Sequence, residues 1–170
     1  MSEPLVREKV IRWDDPLAMT AELRTMSGID ALNALMNGDV SKPPILNHFD
    51  FEFRLIEMGK VQLAVTFSES HYNLLGSVHG GAIATLLDTV MGCAVQSVMP
   101  LGRTYTTLNI GVNYLRAITV TTGEVIAEGT IIHAGRTTAL AQGRILDAAG
   151  KIVATGETTC LLFDVPNKQG

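Results

Sequence analysis

A single carboxylate, Asp88, stands inside an apolar segment that reads HGGAIATLLDTVMGCAVQSVM. It is the only Asp or Glu between Glu69 and Glu124. An ionised side chain within an apolar helix is costly unless it is paired or used, and no oppositely charged residue lies near it in sequence. Because a helix that is apolar nearly all round must be covered on most sides, the segment predicts a central helix, and Asp88 indicates catalysis.

Composition limits the class of protein. The chain has 170 residues, of which 46% are hydrophobic and 18% charged, which is typical of one well-packed globular domain. The formal net charge of −4 argues against a nucleic-acid partner, since phosphate binding normally needs a basic surface. No apolar stretch is long enough to span a membrane and the first residues do not resemble a signal peptide, so we expect a cytoplasmic protein.

Cysteines and histidines give no sign of a metal centre. Cys93 and Cys160 are far apart and form no C-x-x-C motif, so we interpret them as buried, reduced thiols. The four histidines lack the spacing or cysteine partners typical of zinc sites. We therefore expect no metal.

The hydrophobic pattern predicts three parts: an N-terminal helical extension over residues 1–43, one β-rich domain over 44–164, and a disordered tail over 165–170. In the domain, alternating residues predict six strands around one helix from Gly80 to about Val98. The predicted strands are His48 to Glu57, Val61 to Ser68, Arg103 to Ala117, Thr121 to His133, Thr137 to Asp147 and Lys151 to Phe163. The fold class is α+β, with a curved antiparallel sheet wrapped around the helix.

Alternation in the third predicted strand assigns its faces. Leu108, Ile110, Val112 and Tyr114 should face one way, and Thr107 the other. In the helix, small residues line up with Asp88 on one face, and this stripe would let another backbone approach closely. The small residues are Gly81, Ala84 and Gly92.

The start of the predicted helix has a second functional signal, His79-Gly80-Gly81. Amide groups at a helix N-terminus lack intrahelical partners and suit a developing oxyanion on an acyl carbonyl. Asp88 lies two turns further along, so one helix does not obviously bring both groups to one carbonyl. Two antiparallel helices from two subunits would. Alternatively, the glycines only permit tight packing and His79 only caps the helix.

The stretch HYNLLGSVHGGAIATLLDTVMGCA, residues 71–94, resembles the signature of hotdog-fold acyl-CoA thioesterases of the PaaI-like group, the 4-hydroxybenzoyl-CoA and phenylacetyl-CoA thioesterase type. The shared residues are Asn73, Gly76, the His79-Gly80-Gly81 triplet and a carboxylate, here Asp88. A later stretch, TTLNIGVNYLRA, resembles the family's strand after the helix, and the likeness covers residues 45–164.

The resemblance implies a hotdog-fold homodimer or homotetramer with acyl-CoA sites at the subunit interface, and no cofactor beyond the CoA of the substrate. Asp88 would be the general base or the nucleophile, and the Gly80 amide would polarise the thioester carbonyl. Asn73 would orient water or the carbonyl, and His79 would support the loop. The family also uses a hydroxyl from the following strand, which leaves Thr106 and Thr107 open.

Further residues are candidates for substrate binding. Gly81 borders the carbonyl site, and His71 either lines the acyl pocket or packs the loop. Arg116 and Arg136 are candidates for the CoA phosphates, although each is also consistent with a solvated surface charge. Two other functions stay open: a hotdog-fold hydratase or dehydratase acting on acyl thioesters, and an acyl-CoA-binding sensor without turnover.

Overall fold

The computed structural model describes residues 6–165, and in this range the chain forms four α-helices and six β-strands. The helices are α1 (Pro16–Leu23), α2 (Gly28–Asn37), α3 (Pro44–Phe49) and α4 (Gly80–Ser97). The strands are β1 (Glu52–Glu57), β2 (Lys60–Thr66), β3 (Arg103–Tyr114), β4 (Glu124–Ala134), β5 (Thr138–Leu146) and β6 (Ile152–Asp164).

All six strands join one antiparallel sheet in the order β1-β2-β4-β5-β6-β3. Helix α4 contacts every strand from β2 to β6. The predicted α+β architecture, one long helix against an antiparallel sheet with a helical N-terminal extension, is confirmed. Strands β1 and β3 lie at the edges, so one side of β3 has no neighbouring strand among the residues that the structure describes.

Glycines in adjacent strands let α4 lie close to the sheet. Gly129 in β4 and Gly143 in β5 are register partners. A Cβ atom at Gly129 would lie 2.3 Å from the carbonyl oxygen of Val90, and one at Gly143 would lie 2.9 Å from the Met91 side chain. Real Cβ atoms do not approach a backbone oxygen so closely. The sheet can therefore lie this close to α4 only because the two glycines have no side chains.

The burial of α4 is one-sided. Leu86, Leu87, Val90 and Met91 are fully buried against the sheet. Another stripe of the helix is only partly buried, because the sheet of this chain does not cover it; it comprises Ala84, Thr85, Asp88 and Thr89. Asp88 therefore does not lie inside a helix that is buried on all sides. It lies on the stripe of the central helix that the sheet of this chain leaves uncovered.

The N-terminal extension packs against the far end of α4. Ser27 caps α2 by accepting a hydrogen bond from the amide of Asp30. The amide of Gly28 donates to the carbonyl of Met99 at 2.9 Å, and a Cβ atom at Gly28 would overlap the Gln96 carbonyl. A glycine at the first position of α2 thus lets this helix contact the C-terminal end of α4.

The segment around Pro44 differs from the prediction. His48 and Phe49 were assigned to a strand, but they belong to α3, which begins at Pro44. Proline is well tolerated in the first turn of a helix, so Pro44 starts α3 directly after the predicted extension. Asp50 ends α3 in the left-handed conformation, with φ 54°. At the other end of the domain, the Val165 amide donates to Gly102, and residues 166–170 of the predicted tail lie outside the described range.

A bulge in β3 overturns the predicted faces of this strand. Thr107 pairs with Cys160 and Asn109 pairs with Thr159, so Leu108 is the extra residue. Leu108 is 60% exposed, although alternation placed it on the inner face with Ile110. The bulge inverts the alternation, and Thr107 consequently shares the inner face with Tyr114.

Candidate active site

Asp88 has one hydrogen-bond partner among the described residues. The hydroxyl of Thr107 donates to Oδ1 of Asp88 at 3.0 Å. No Lys, Arg or His in the described range forms an ion pair with this carboxylate. Thr106 is exposed and lies on the opposite face of β3, so the structure selects Thr107 as the hydroxyl beside Asp88.

The N-terminus of α4 presents one free amide. His79 is the N-cap, and its Nδ1 accepts a hydrogen bond from the Gly81 amide at 2.8 Å. The Ala82 amide donates to the His79 carbonyl at 2.9 Å. Within residues 6–165 the Gly80 amide has no acceptor. It is therefore available for a carbonyl oxygen of a ligand, whereas Gly81 is already used.

Tyr114 holds the other side of Gly80. Its hydroxyl donates to the Gly80 carbonyl at 3.0 Å, and a Cβ atom at Gly80 would lie 3.2 Å from Cζ of its ring. The absence of a side chain at Gly80 therefore lets an aromatic ring cover the first turn of α4. No local sequence pattern indicates this contact, because the proximity of the two residues depends on the path of β3.

Asn73 organises its own loop. Its side-chain oxygen accepts from the amides of Leu75 at 2.8 Å and Ser77 at 3.4 Å, and its Nδ2 donates to the Ser77 hydroxyl at 3.3 Å. This oxygen is thus occupied, and the amide nitrogen has one proton left for a ligand. The residue fixes the turn that leads into His79.

A surface cavity of about 280 Å³ joins this loop to the start of α4. Asn73, Gly80, Tyr114 and Arg116 all border it. Arg116 also donates a hydrogen bond to the Ile152 carbonyl, which holds the guanidinium at the rim. The structure thus brings together three of the predicted site residues, Asn73, Gly80 and Arg116.

His71 packs the loop, which was one of its two predicted roles. Its ring stacks on Phe49 with centroids 5.2 Å apart and meets Phe67 edge-on. Its Nδ1 accepts from the Ser68 amide at 3.1 Å, and its Nε2 lies 3.4 Å from the His48 carbonyl. Its own carbonyl accepts from the His79 amide at 2.8 Å, so His71 fixes the start of α4 through the backbone.

Two groups of predicted residues lie apart within one chain. Gly80 and Asp88 are separated by two turns of α4, roughly 12 Å at about 1.5 Å per residue. Arg136 lies in the turn between β4 and β5, where its carbonyl accepts from Arg103, the first residue of β3, at 2.6 Å. Arg116 lies two residues after the end of β3. One chain therefore contributes two separate partial sites, one at Gly80 and Arg116 and the other at Asp88.

Side chains of the same chain lie next to the small-residue stripe of α4. A Cβ atom at Gly81 would lie 3.0 Å from the His79 ring, and one at Gly92 would lie 2.3 Å from the Tyr105 hydroxyl. In the direction of a Cβ atom, each of these two glycines thus faces a side chain of the same chain. The close approach of another backbone along this stripe stays a prediction.

Cys93 lies next to this stripe without being a nucleophile. Burial raises the pKa of its thiol to about 12, and the nearby charge of Asp88 acts in the same direction. Since the thiolate is the reactive form, a thiol held protonated is inert at neutral pH. Burial also raises the pKa of the Cys160 thiol. Asp88 is thus the nucleophilic or basic group that this part of the molecule offers.

Within residues 6–165, no group of three or more His, Cys, Asp or Glu side chains is arranged to hold a metal ion. In the same range, no helix is both long enough and apolar enough to cross a membrane.

Comparison with known proteins identifies the family. The sequence model of the Thioesterase superfamily matches residues 75–154. A Halobacterium salinarum protein that is provisionally named an esterase is 30% identical over 151 residues, which cover 81% of this chain and 98% of the relative. The match to the family model includes the site residues from Gly80 to Arg116. The chain belongs to the thioesterase superfamily.

Solved structures agree on the fold. The Escherichia coli PaaI protein of the phenylacetic acid degradation operon superposes with a TM-score of 0.70 at 19% identity, covering 82% of this chain and 99% of PaaI. A Streptococcus mutans protein bound to acetyl CoA superposes with a TM-score of 0.62 at 26% identity, covering 69% of this chain and 91% of that protein. The protein therefore has the PaaI-like hotdog fold that its sequence resembles.

Proposed function

We propose that this protein is an acyl-CoA thioesterase, which hydrolyses an acyl- or aryl-CoA thioester to the free acid and CoA. One observation carries the proposal: the uncovered stripe of α4 has a carboxylate, Asp88, held by Thr107, while the same helix begins with a free amide at Gly80. A base or nucleophile and an electrophilic N–H are the two groups that an activated acyl donor requires.

The two groups act on one carbonyl when two copies of the chain pair. If two α4 helices lie side by side and antiparallel, the N-terminus of each faces Asp88 of the other. In the described part of the chain the outer edge of β3 is unpaired, and this strand contacts the same stripe of α4 through Thr107. One interface would therefore cover both. We therefore propose a homodimer, alone or paired into a homotetramer, with shared sites.

In the proposed reaction the Gly80 amide of one subunit donates to the thioester carbonyl oxygen, which gains negative charge as the carbonyl carbon is attacked. Asp88 of the other subunit either attacks this carbon or removes a proton from the attacking water. The C–S bond breaks, and CoA leaves as a thiolate that takes up a proton. In the direct route, water then hydrolyses the acyl-aspartate anhydride, and in both routes the products are the acid and CoA.

Two observations support the proposal that the substrate contains CoA. One is the cavity at the start of α4, and the other is the similar protein bound to acetyl CoA. We propose that Asn73 and Arg116 line the path of the CoA arm, with Arg116 meeting a phosphate. Arg136 lies at the other end of β3, so it reaches the same CoA only from a second copy. His79 and His71 hold the loop and do not contact the reacting atoms.

Thiol release from a panel of aryl- and alkyl-CoA thioesters tests this proposal. We expect free CoA and free acid in equal amounts, without added metal. Two results would redirect the assignment. CoA ligands that bind for hours without releasing thiol would indicate a sensor, and loss of enoyl absorbance without thiol release would indicate a hydratase.

A further inference from the structure

A second cavity, of about 240 Å³, lies where the N-terminal extension meets the C-terminal end of α4. Side chains from α1, α2, α4 and the start of β3 border it. The α4 residue is Gln96, which lies two turns beyond Asp88 and therefore roughly 12 Å further along the helix axis. No residue that borders this cavity also borders the cavity at Gly80, so the two are separate.

One part of the cavity lining is apolar. Leu32 and Leu35 of α2 are buried core residues, and Leu23 and Met26 are partly buried side chains that pack against the same core. No residue of α1 is itself buried. Helix α1 therefore covers this part of the core incompletely and leaves an apolar surface open to a ligand.

The charged part of the lining is entirely cationic. Arg24 and Arg103 both border the cavity, and within residues 6–165 no Asp or Glu does, although the chain has a net charge of −4. Arg24 is exposed and forms no ion pair in the same range. A cavity with two guanidinium groups and no carboxylate favours an anion.

The guanidinium of Arg103 is incompletely bonded. Its Nη2 donates to the Arg136 carbonyl, but its Nε is the one buried side-chain nitrogen or oxygen without a hydrogen-bond partner among the described residues. Oδ1 of Asp164 lies 3.2 Å from this Nε, yet that side chain is 86% exposed. Because an ion pair with so exposed a carboxylate contributes little, Arg103 has positive charge left for a second anion.

We propose that this cavity binds a free carboxylic acid with a short apolar chain. The carboxylate is met by Arg24 and Arg103, and the chain lies against Leu32 and Leu35. At about 30 Å³ per non-hydrogen atom, the volume share of water in the liquid, the cavity holds roughly eight such atoms, which is the size of hexanoate. The site lies apart from the Gly80 amide and Asp88, so it does not depend on the proposed hydrolysis.

Calorimetric titration with hexanoate tests the site. Hexanamide serves as a neutral molecule of the same size, and acetate as the anion without the chain. The proteins are the wild type, Arg24→Gln and Ala31→Leu; Ala31 is a buried residue that borders the cavity, so a larger side chain there takes up room for the ligand. Arg12→Gln is the matched control, because it removes the same charge from the extension at a residue that does not border the cavity.

We expect the wild-type protein and Arg12→Gln to bind hexanoate more tightly than hexanamide or acetate. Arg24→Gln should bind hexanoate roughly tenfold more weakly, the lower end of what a hydrogen bond between charged groups contributes, and hexanamide with unchanged affinity. Ala31→Leu should weaken the binding of both molecules. Thermal unfolding of each variant shows whether it is folded, and the exposed position of Arg24 makes Arg24→Gln decisive even if Ala31→Leu unfolds.

Two results would overturn the assignment. One is a wild-type protein that does not bind hexanoate, and the other is an unchanged hexanoate affinity in a folded Arg24→Gln protein, which would place the acid elsewhere. Because the titration contains no thioester, a failed thiol-release assay counts against the proposed function alone.

Discussion

Thr107 and Asp88 meet because β3 contains a bulge. The Thr107 hydroxyl donates to Oδ1 of Asp88 at 3.0 Å, and the extra residue, Leu108, puts Thr107 on the face of the strand that contacts α4. The bond leaves Oδ2 of Asp88 without a partner among the described residues. One oxygen of the carboxylate is thus held by the protein, and the other is available for a substrate or a water molecule.

Replacing Thr107 by Val should lower kcat about tenfold or more and change KM little. The substitution keeps the shape of the side chain but removes the one side-chain hydrogen bond that Asp88 accepts within residues 6–165. A hydrogen bond to a charged group contributes about 1.5–3 kcal/mol. Steady-state kinetics with one acyl-CoA substrate measures this effect. The matched control is Thr106→Val, one residue away on the opposite face. Equal losses in the two variants would contradict the role of Thr107.

Replacing Gly80 by Pro should abolish most of the turnover without unfolding the protein. Proline removes the amide proton, yet it is favourable at the first position of a helix. His79 has φ −62° and ψ 135°, a conformation that a following proline accepts. We expect kcat to fall by a factor of about 100 or more, as for loss of an oxyanion-hole donor.

The control for this variant is Gly80→Ala, which adds a Cβ atom next to the Tyr114 ring, 3.2 Å from Cζ, but keeps the amide. Its activity should be well above that of the Pro variant. Circular dichroism and sedimentation of both proteins test whether the fold and the assembly persist. If both variants lose activity equally, crowding against Tyr114 explains the loss, and the amide has no demonstrated role.

Mixed dimers test whether the site is shared. In a dimer with one Asp88→Asn subunit and one Gly80→Pro subunit, a shared arrangement gives one site with both native groups and one with neither. Differently tagged subunits, co-expressed and purified as mixed dimers, should therefore recover about half of the wild-type activity, although each variant alone is inactive. If both groups act from the same chain, each site has one defect and the mixed dimer stays inactive.

Glu128 should contribute to stability in a pH-dependent way. Burial alone raises the pKa of this carboxyl, but hydrogen bonds from Gln62, Lys60 and Arg144 outweigh burial and leave its pKa below the ordinary value of 4.5. Since the folded pKa is lowered, the contribution is fully present above the unfolded pKa and is lost as the pH falls through the folded pKa.

The variant Glu128→Gln tests this assignment. Near neutral pH it should lower the free energy of unfolding by about 1–2 kcal/mol, because hydrogen bonds to a charged acceptor are lost. The difference from the wild-type protein should narrow once the pH falls below about 4.5, where the unfolded carboxyl takes up its proton. Urea denaturation at several pH values measures it. If the difference in unfolding free energy between the two proteins grew as the pH fell, the result would contradict the stabilising role of the Glu128 carboxylate.

Much of the fold follows from local patterns in the sequence. The bounds of α4 follow from the His79 cap and from Pro100, and α2 follows from the Ser27 cap and from Gly38. The strands after α4 follow from alternation and turn glycines. Each of these signals acts between residues that are near in sequence, which is why single-sequence reasoning detects them.

The misassigned features depend on tertiary contacts. The bulge at Leu108 adds no special residue to the sequence, so alternation gave the wrong face for Thr107. Helix α3 ends in an aromatic run that alternates as a strand would, and Phe49 instead stacks on Phe51 and His71. Contacts of Tyr114 with Gly80 and of Tyr105 with Gly92 join residues that only the folded sheet brings together.

The most direct test of the account compares thiol release by the wild-type protein and by Asp88→Asn, with the same acyl-CoA substrate. The amide is nearly isosteric but is neither a base nor a comparable nucleophile, so kcat should fall by a factor of about 100 or more while the oligomer and the circular dichroism spectrum stay unchanged. A folded Asp88→Asn protein that releases CoA at the wild-type rate would contradict the central role of this carboxylate.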